Sequence, residues 1–282
     1  MEGSINFESL LAKLRAQGVS KGDMVYVASD VTGLLDDARR QLGIRMTERD
    51  AYLDIFINAL QTLVTESGTL LFPVFTWGFC KGKPFDVHHT RCQVGALNNW
   101  VLMHRRDFQR TRHPIYSFLV WGRRAADLLA LENHDAFGMD SPFAYLHRHR
   151  GKMVLFDVNL QRGFTFMHYV EESVCVPYRY FKAFKGIYVD TDGHADERIY
   201  TMYVRDLSIR SQEYLRDAFP EENGVLKRTS WHDLKLGVID LAGAYLLYHD
   251  DLLLHGGCEC YHFDGYAIDW TQPPTHEDDL VR

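Results

Sequence analysis

In the segment GFTFMHYVEES, His168 and Glu171 stand three residues apart. On a helix beginning near Thr165 the two side chains share a face, so the carboxylate can hold one ring nitrogen and leave the other free to accept a proton. An amine that attacks an acyl carbon needs such a relay, because the zwitterion it forms must lose a proton and a positioned imidazole can take it near neutral pH. The same spacing also describes an ordinary ion pair on a helix surface, and spacing alone leaves both readings open.

Two further segments carry groups suited to an anionic ligand. In RTRHPIYSF, Pro114 restrains His113 to an extended conformation, and Arg110 and Arg112 put fixed positive charge beside it. Those arginines can hold phosphate or carboxylate, with Thr111, Tyr116 and Ser117 as hydroxyl donors, or they can form a plain basic surface loop. In VASDVTGLL, Ser29, Asp30 and Thr32 follow an apolar strand, at the edge where α/β proteins bind ligands. No GxGxxG or P-loop is present; the amides of a following helix can receive a pyrophosphate, or Ser29 and Asp30 can simply cap that helix. Ser141 before Pro142 is likewise a helix start. His88 with His89, His147 with His149, and Cys258 with Cys260 lack the gaps and partners of a zinc site, so no metal is expected. Cys80 has no adjacent base and reads as core or pocket wall.

The elements that must position these groups follow from periodicity. Helices are predicted over Phe7–Gln17, about Thr47–Val64, Gly95–His104, Arg123–Leu131, Pro142–His149 and about Gln212–Ala218. Buried strands are predicted at MVYVAS, SGTLLFPVF and KMVLFDV, and KGIYVDTDG with ERIYTMYVRDL reads as a hairpin around a DG turn. GCECYHFDGYAIDW alternates, and the acidic tail HEDDLVR is expected to fray. Strands alternating with helices predict an α/β fold, a layered mixed sheet flanked by helices, with a hairpin-bearing C-terminal half. With no internal repeat or Pro/Gly-rich linker, the 282 residues are expected to form a single domain.

A net charge of -7 argues against nucleic acid as the main partner, since phosphate backbones require clustered cationic excess. Five cysteines without even spacing do not make a disulfide framework. No apolar run approaches the roughly 18 residues of a membrane span, and the N-terminal segment has no signal-like pattern, so a cytoplasmic protein without membrane partners is expected.

In order along the chain, KGDMVYVASDVTG, SGTLLFPVFT, VGAL, RTRHPIYSF, DSPF and TFMHYVE resemble the aminoglycoside 3-N-acetyltransferases and their relatives, over roughly residues 20–180. The resemblance implies a cleft for acetyl-CoA or another acyl-CoA as co-substrate, direct acyl transfer to a small-molecule amine, and a monomer or homodimer. It passes the role of general base to His168, with Glu171 orienting it. Expected cofactor contacts are Ser29, Asp30, Thr32, Arg110, His113 and Ser117, and expected acceptor contacts are Thr76, Thr165, Arg179 and Asp206. The sequence departs from the resistance enzymes at Ala28-Ser29-Asp30, where those tend to carry a histidine and two serines, and at Asn98, where an acidic residue is usual. FCKGKPFDV and CVPYRYFKAFKG look more like relatives that acylate amino sugars carried on nucleotides, so an amino sugar, free or nucleotide-linked, is favoured over an aminoglycoside antibiotic. A binding protein without catalysis is the remaining alternative.

Overall fold

The run MVYVAS forms the central strand of the structure, a computed structural model that describes residues 5–209, 212–265 and 268–271. Ahead of it lies α1 (Glu8–Ala16), which buries Leu10, Leu11 and Leu14. After β1 (Met24–Ser29) come α2 (Val31–Leu42), α3 (Arg49–Val64), β2 (Thr69–Pro73), β3 (Phe85–Asp86), α4 (Ala96–His104), β4 (Gln109–Arg110), β5 (Phe118–Gly122), α5 (Ala125–Leu129) and α6 (Pro142–Arg148). The chain continues through β6 (Lys152–Phe156), α7 (Leu160–Gly163), α8 (Met167–Ser173), β7 (Arg179–Val189), β8 (Ala195–Arg205), β9 (Gln212–Leu215) and α9 (Phe219–Glu222). It closes with β10 (Leu226–Trp231), β11 (Leu234–Asp240), α10 (Leu241–His255) and β12 (Tyr261–Asp264).

The main sheet has seven strands in the order β10-β11-β6-β1-β2-β5-β4. β1 is parallel to both β2 and β6, while β11 runs antiparallel to β6 and β5 antiparallel to β2, so the sheet is mixed. Its side chains alternate between two apolar layers. Val25, Val27, Phe72, Val154 and Phe156 join α1, α3 and α4 on one side; Tyr26, Leu71, Met153 and Leu155 face α6, α8 and α10 on the other. Burial on both faces explains why β1, β2 and β6 read as continuous apolar runs. From β1 the chain moves outward to β2 on one side and later returns to place β6 on the other. The strand order therefore reverses at β1, and a crevice opens beyond the carboxyl ends of these parallel strands.

The predicted hairpin is present: β7 pairs with β8 from Val189↔Ala195 at the turn to Arg179↔Arg205 at its base, with Gly193 at φ 81°. The base is what matters for the site, because it fixes Arg179 beside α8. The helix predicted over Gln212–Ala218 is a strand instead: β9 pairs antiparallel with β12, and Glu213 and Leu215 turn inward while Gln212 and Tyr214 face out. That period of two excludes a helix. The helix predicted over Arg123–Leu131 is confined to α5. The helix expected to follow β1 is α2, capped by Asp30, whereas β5, the β10–β11 hairpin and α10 are among the elements that went unpredicted. The acidic tail lies outside the described residues. Among the described residues, no helix is long and apolar enough to cross a membrane.

Candidate active site

The crevice beyond β1, β2 and β6 is a cleft of about 530 Å³. Ser29 and Asp30 reach it from the end of β1, Pro73 and Phe75 from β2, and Asp157 to Asn159 from the loop after β6. The first turn of α2 forms one wall and lies close to Asp157: a Cβ at Gly33 would come 2.4 Å from Asp157 Oδ2, so a larger residue there would displace that carboxylate. Asp30 caps α2, accepting from the Thr32 N–H at 2.9 Å. Its carboxylate therefore already occupies the positive end of the helix, where the alternative reading put a pyrophosphate. Cationic groups lie elsewhere along the cleft: Arg162, Arg228 and Lys235. Arg228 is paired with Asp217 at 3.4 Å and Glu221 at 3.1 Å, whereas Lys235 has no ion-pair partner among the described residues. Ser29 Oγ and the Asn98 Oδ1 are buried without a protein partner, while Asn98 Nδ2 donates to the Val94 carbonyl.

A second cleft, about 220 Å³, adjoins the first. Phe75, Val94, Arg162 and Thr165 line both, so the two clefts meet at these residues. Thr165 also bonds the hydroxyl of buried Tyr26. His168, in the first turn of α8, faces the smaller cleft with its side chain 33% exposed. Its Nδ1 lies 2.7 Å from Glu171 Oε2, and Phe137 packs edge-on against the ring at 5.4 Å. With Nδ1 committed to a carboxylate, the proton sits on that nitrogen and the Nε2 lone pair is free.

Glu171 is fully buried, and both of its oxygens are engaged. Oε2 meets His168 and, at 2.9 Å, Arg179 Nε; Oε1 accepts from the hydroxyls of Tyr178 at 2.9 Å and Tyr261 at 2.8 Å. Burial alone would push its pKa up, but the Arg179 charge, the His168 bond and the Tyr261 hydroxyl outweigh it and hold the carboxyl down to about 2. Arg179 is itself buried, and burial works against its charge; Glu171 more than offsets this, so the guanidinium stays firmly protonated. Arg179 also contacts Glu213 at 3.3 Å, and Arg205 reaches the other Glu213 oxygen at 3.1 Å. A chain of alternating charge thus runs from the imidazole through α8 to the base of the hairpin.

Of the residues singled out from sequence, the structure gathers Ser29, Asp30, Thr32 and Thr165 along the large cleft, and Thr165, His168 and Arg179 around the small one, with Glu171 behind them. Five lie away from both. Arg110 is a buried brace: it donates to Ser117 Oγ at 2.8 Å, the Thr90 carbonyl at 2.5 Å and the Val74 carbonyl at 2.9 Å, leaving no fork for a phosphate. Burial lowers its pKa to about 10. Ser117 completes that brace by donating to Val74. His113 accepts the Ile115 and Tyr116 amides on Nδ1 and is pressed against Tyr200, so burial pushes its pKa down to about 3 and it shapes a turn as a neutral ring. Thr76 accepts from the Gly78 amide, and Asp206 closes a turn through Ser208. Lining residues that sequence reasoning did not select include Arg162, Glu213, Lys235 and Tyr261. Glu213 and Tyr261 come together only through the β9–β12 pairing, which the helix expected at Gln212–Ala218 concealed.

The sequence matches the family model described as aminoglycoside 3-N-acetyltransferase over residues 43–249. A comparison with curated proteins returned no match. Among solved structures, one described as AAC-IIIb binary with CoASH superposes with a TM-score of 0.70 at 20% identity, covering 88% of this chain and 96% of that one. Sisomicin-bound AAC-VIa gives 0.69 at 20% identity, with 90% and 99% covered. The YokD protein from Bacillus subtilis gives 0.67 at 18%, with 88% and 99% covered. At these identities the superpositions establish a shared fold, while the family match spans well over half of the sequence. This chain belongs to the aminoglycoside 3-N-acetyltransferase family and is an acyl-CoA-dependent N-acetyltransferase acting on amines.

Proposed function

We propose that the protein transfers an acetyl group from acetyl-CoA directly to a primary amine of an amino-sugar acceptor, with His168 as general base and Glu171 as its positioning partner. The observation that carries this reading is the junction of the two clefts: Thr165 lines both, and the free face of His168 opens on the smaller. A volume of about 530 Å³ suits an elongated ligand in the larger cleft. Its polar atoms fit the pantetheine arm of coenzyme A, since Ser29 Oγ and Asn98 Oδ1 lack partners that the arm's amide groups would supply. Lys235 offers charge for its phosphates.

The thioester brings an electrophilic acyl carbon and a thiolate leaving group. An amine entering from the smaller cleft meets His168 Nε2, which takes its proton as the C–N bond forms. Glu171 keeps Nδ1 protonated and stabilises the imidazolium produced; its depressed pKa keeps it anionic through the pH range of the reaction. Burial of Glu171 among Arg179, Tyr178 and Tyr261 fixes the carboxylate so that it orients the ring rather than exchanging protons with solvent.

Two acceptors compete. The family's name, and the sisomicin bound to one structural neighbour and apramycin to another, favour an aminoglycoside. Arg162 at the smaller cleft favours a single amino sugar, phosphorylated or not. The test common to both is amine-dependent release of thiol from acetyl-CoA, followed alongside the intact mass of the protein. Thiol release with each productive amine and no acetyl adduct on the protein is expected; no release with any amine, or an adduct formed on the chain, would contradict the proposal.

A further inference from the structure

We infer that the smaller cleft selects a compact acceptor with one amine and no further positive charge, and disfavours polycationic acceptors of several rings. The inference rests on reading the His168 cleft as the acceptor site. Its size is the first argument: about 220 Å³ falls below the range of roughly 300–1,000 Å³ that encloses drug-sized ligands. One ring with its substituents fits; a multi-ring amine would leave most of its body outside.

Charge is the second argument. Each additional ammonium group needs a carboxylate or several neutral acceptors to replace its hydration. Among the described residues lining this cleft Glu213 is the one carboxylate, and its two oxygens are already engaged by Arg179 and Arg205. Glu171 lies behind the imidazole with no exposed surface. Asp30, Asp157 and Asp217 line the larger cleft instead, where Asp30 caps α2 and Asp217 binds the Leu160 amide and Arg228. Arg162 stands exposed at the junction, lining both clefts, with no side-chain partner among the described residues. It repels a second ammonium and attracts a phosphate or carboxylate on the acceptor. The remaining wall is aromatic and apolar, including Phe75, Trp77, Phe164 and Tyr261, which suits the less polar face of a single sugar ring.

The test is calorimetric titration of the coenzyme A-loaded protein with glucosamine, glucosamine 6-phosphate and sisomicin, in parallel with thiol release. Glucosamine 6-phosphate is expected to bind at least about tenfold more tightly than sisomicin, with glucosamine between them. Arg162→Glu should reverse that order, with coenzyme A affinity measured separately so that a loss there is not mistaken for a change in selectivity. Sisomicin binding tightest, none of the three binding, or a ranking untouched by Arg162→Glu would overturn the inference. If the expected ranking appears without thiol release, the selectivity stands and the catalytic reading fails; turnover with the opposite ranking does the reverse.

Discussion

Replacing Glu171 by Gln separates the orienting role of this carboxylate from every other property of the site, because size and shape are nearly kept. Three hydrogen bonds and one ion pair converge on its two oxygens: His168 Nδ1 and the hydroxyls of Tyr178 and Tyr261 bond it, and the Arg179 guanidinium faces it at 2.9 Å. An amide keeps one acceptor oxygen and gains two donors, so whichever way it turns, its nitrogen faces groups that were donating. The buried Arg179 charge is left with Glu213 alone. Breaking a buried ion pair from one side costs about 3–5 kcal/mol. At about 2–4 °C per kcal/mol for a chain of this size, Tm at pH 7 should fall by roughly 6–20 °C. The pH dependence has a definite sign. The wild-type carboxyl lies at about 2 against an ordinary 4.5, so its stabilising contribution is complete above 4.5 and is lost as pH falls from there toward 2. The gap in Tm between variant and wild type should therefore narrow below pH 4.5. Turnover should also fall, though by less than on losing His168, because an amide nitrogen facing Nδ1 favours the wrong tautomer without removing the base. Thermal unfolding at pH 7 and pH 3.5, with steady-state kinetics at pH 7, reads all three effects. A Tm within about 2 °C of wild type at pH 7 would refute the network as the anchor of the imidazole.

Other consequences lie outside the reaction. Buried Glu172 and half-buried Asp135 are carboxyls whose side chains meet, leaving Glu172 Oε2 and Asp135 Oδ1 with no other partner; burial raises both pKa values, with the Asp135 charge adding to the rise at Glu172 and the Asp140 charge to that at Asp135, so the pair holds a proton in the folded state. The unfolded chain releases that proton above pH 4.5, so the pair's stabilisation is complete below that pH and fades as pH rises. Glu172→Gln should accordingly raise Tm by about 2 °C or more at pH 8 and little at pH 4, and a loss of stability at pH 8 would contradict the shared proton. Arg110→Met should lower Tm by several degrees, since the Val74 and Thr90 carbonyls and Ser117 lose their donor, each at about 1–3 kcal/mol. The KM for acetyl-CoA should stay within about twofold; a large rise in KM at unchanged Tm would return Arg110 to the cofactor site.

How far the site is legible in the sequence depends on whether a residue acts through local spacing or through a distant contact. The His168–Glu171 pair is a matter of three residues on one helix, and the ends of β1, β2 and β6 follow from apolar runs, so the pair and the crevice could both be anticipated. Arg110, His113 and Ser117 show where local reading stops. Their types suit a phosphate site, but β5 folds the segment back against β2, and the groups that would have met a ligand meet the backbone carbonyls and amides of the fold. Nothing in RTRHPIYSF signals that pairing. α10 escaped notice because apolar residues occur around much of its circumference, so no 3.6-residue stripe stands out in LAGAYLLYHDDLLLH. Glu213 and Tyr261 depend on two strands 46 positions apart by their paired residues, Leu215 and Tyr261, a separation that single-sequence periodicity does not encode.

The central claim is that His168 takes the proton of the attacking amine. It is tested most directly by single-turnover acetyl transfer in His168→Ala, with acetyl-CoA affinity measured on the same protein. The account predicts a rate lower by about 100-fold or more and an affinity close to that of wild type. Near-normal transfer, with or without a collapse in acetyl-CoA affinity, would contradict it.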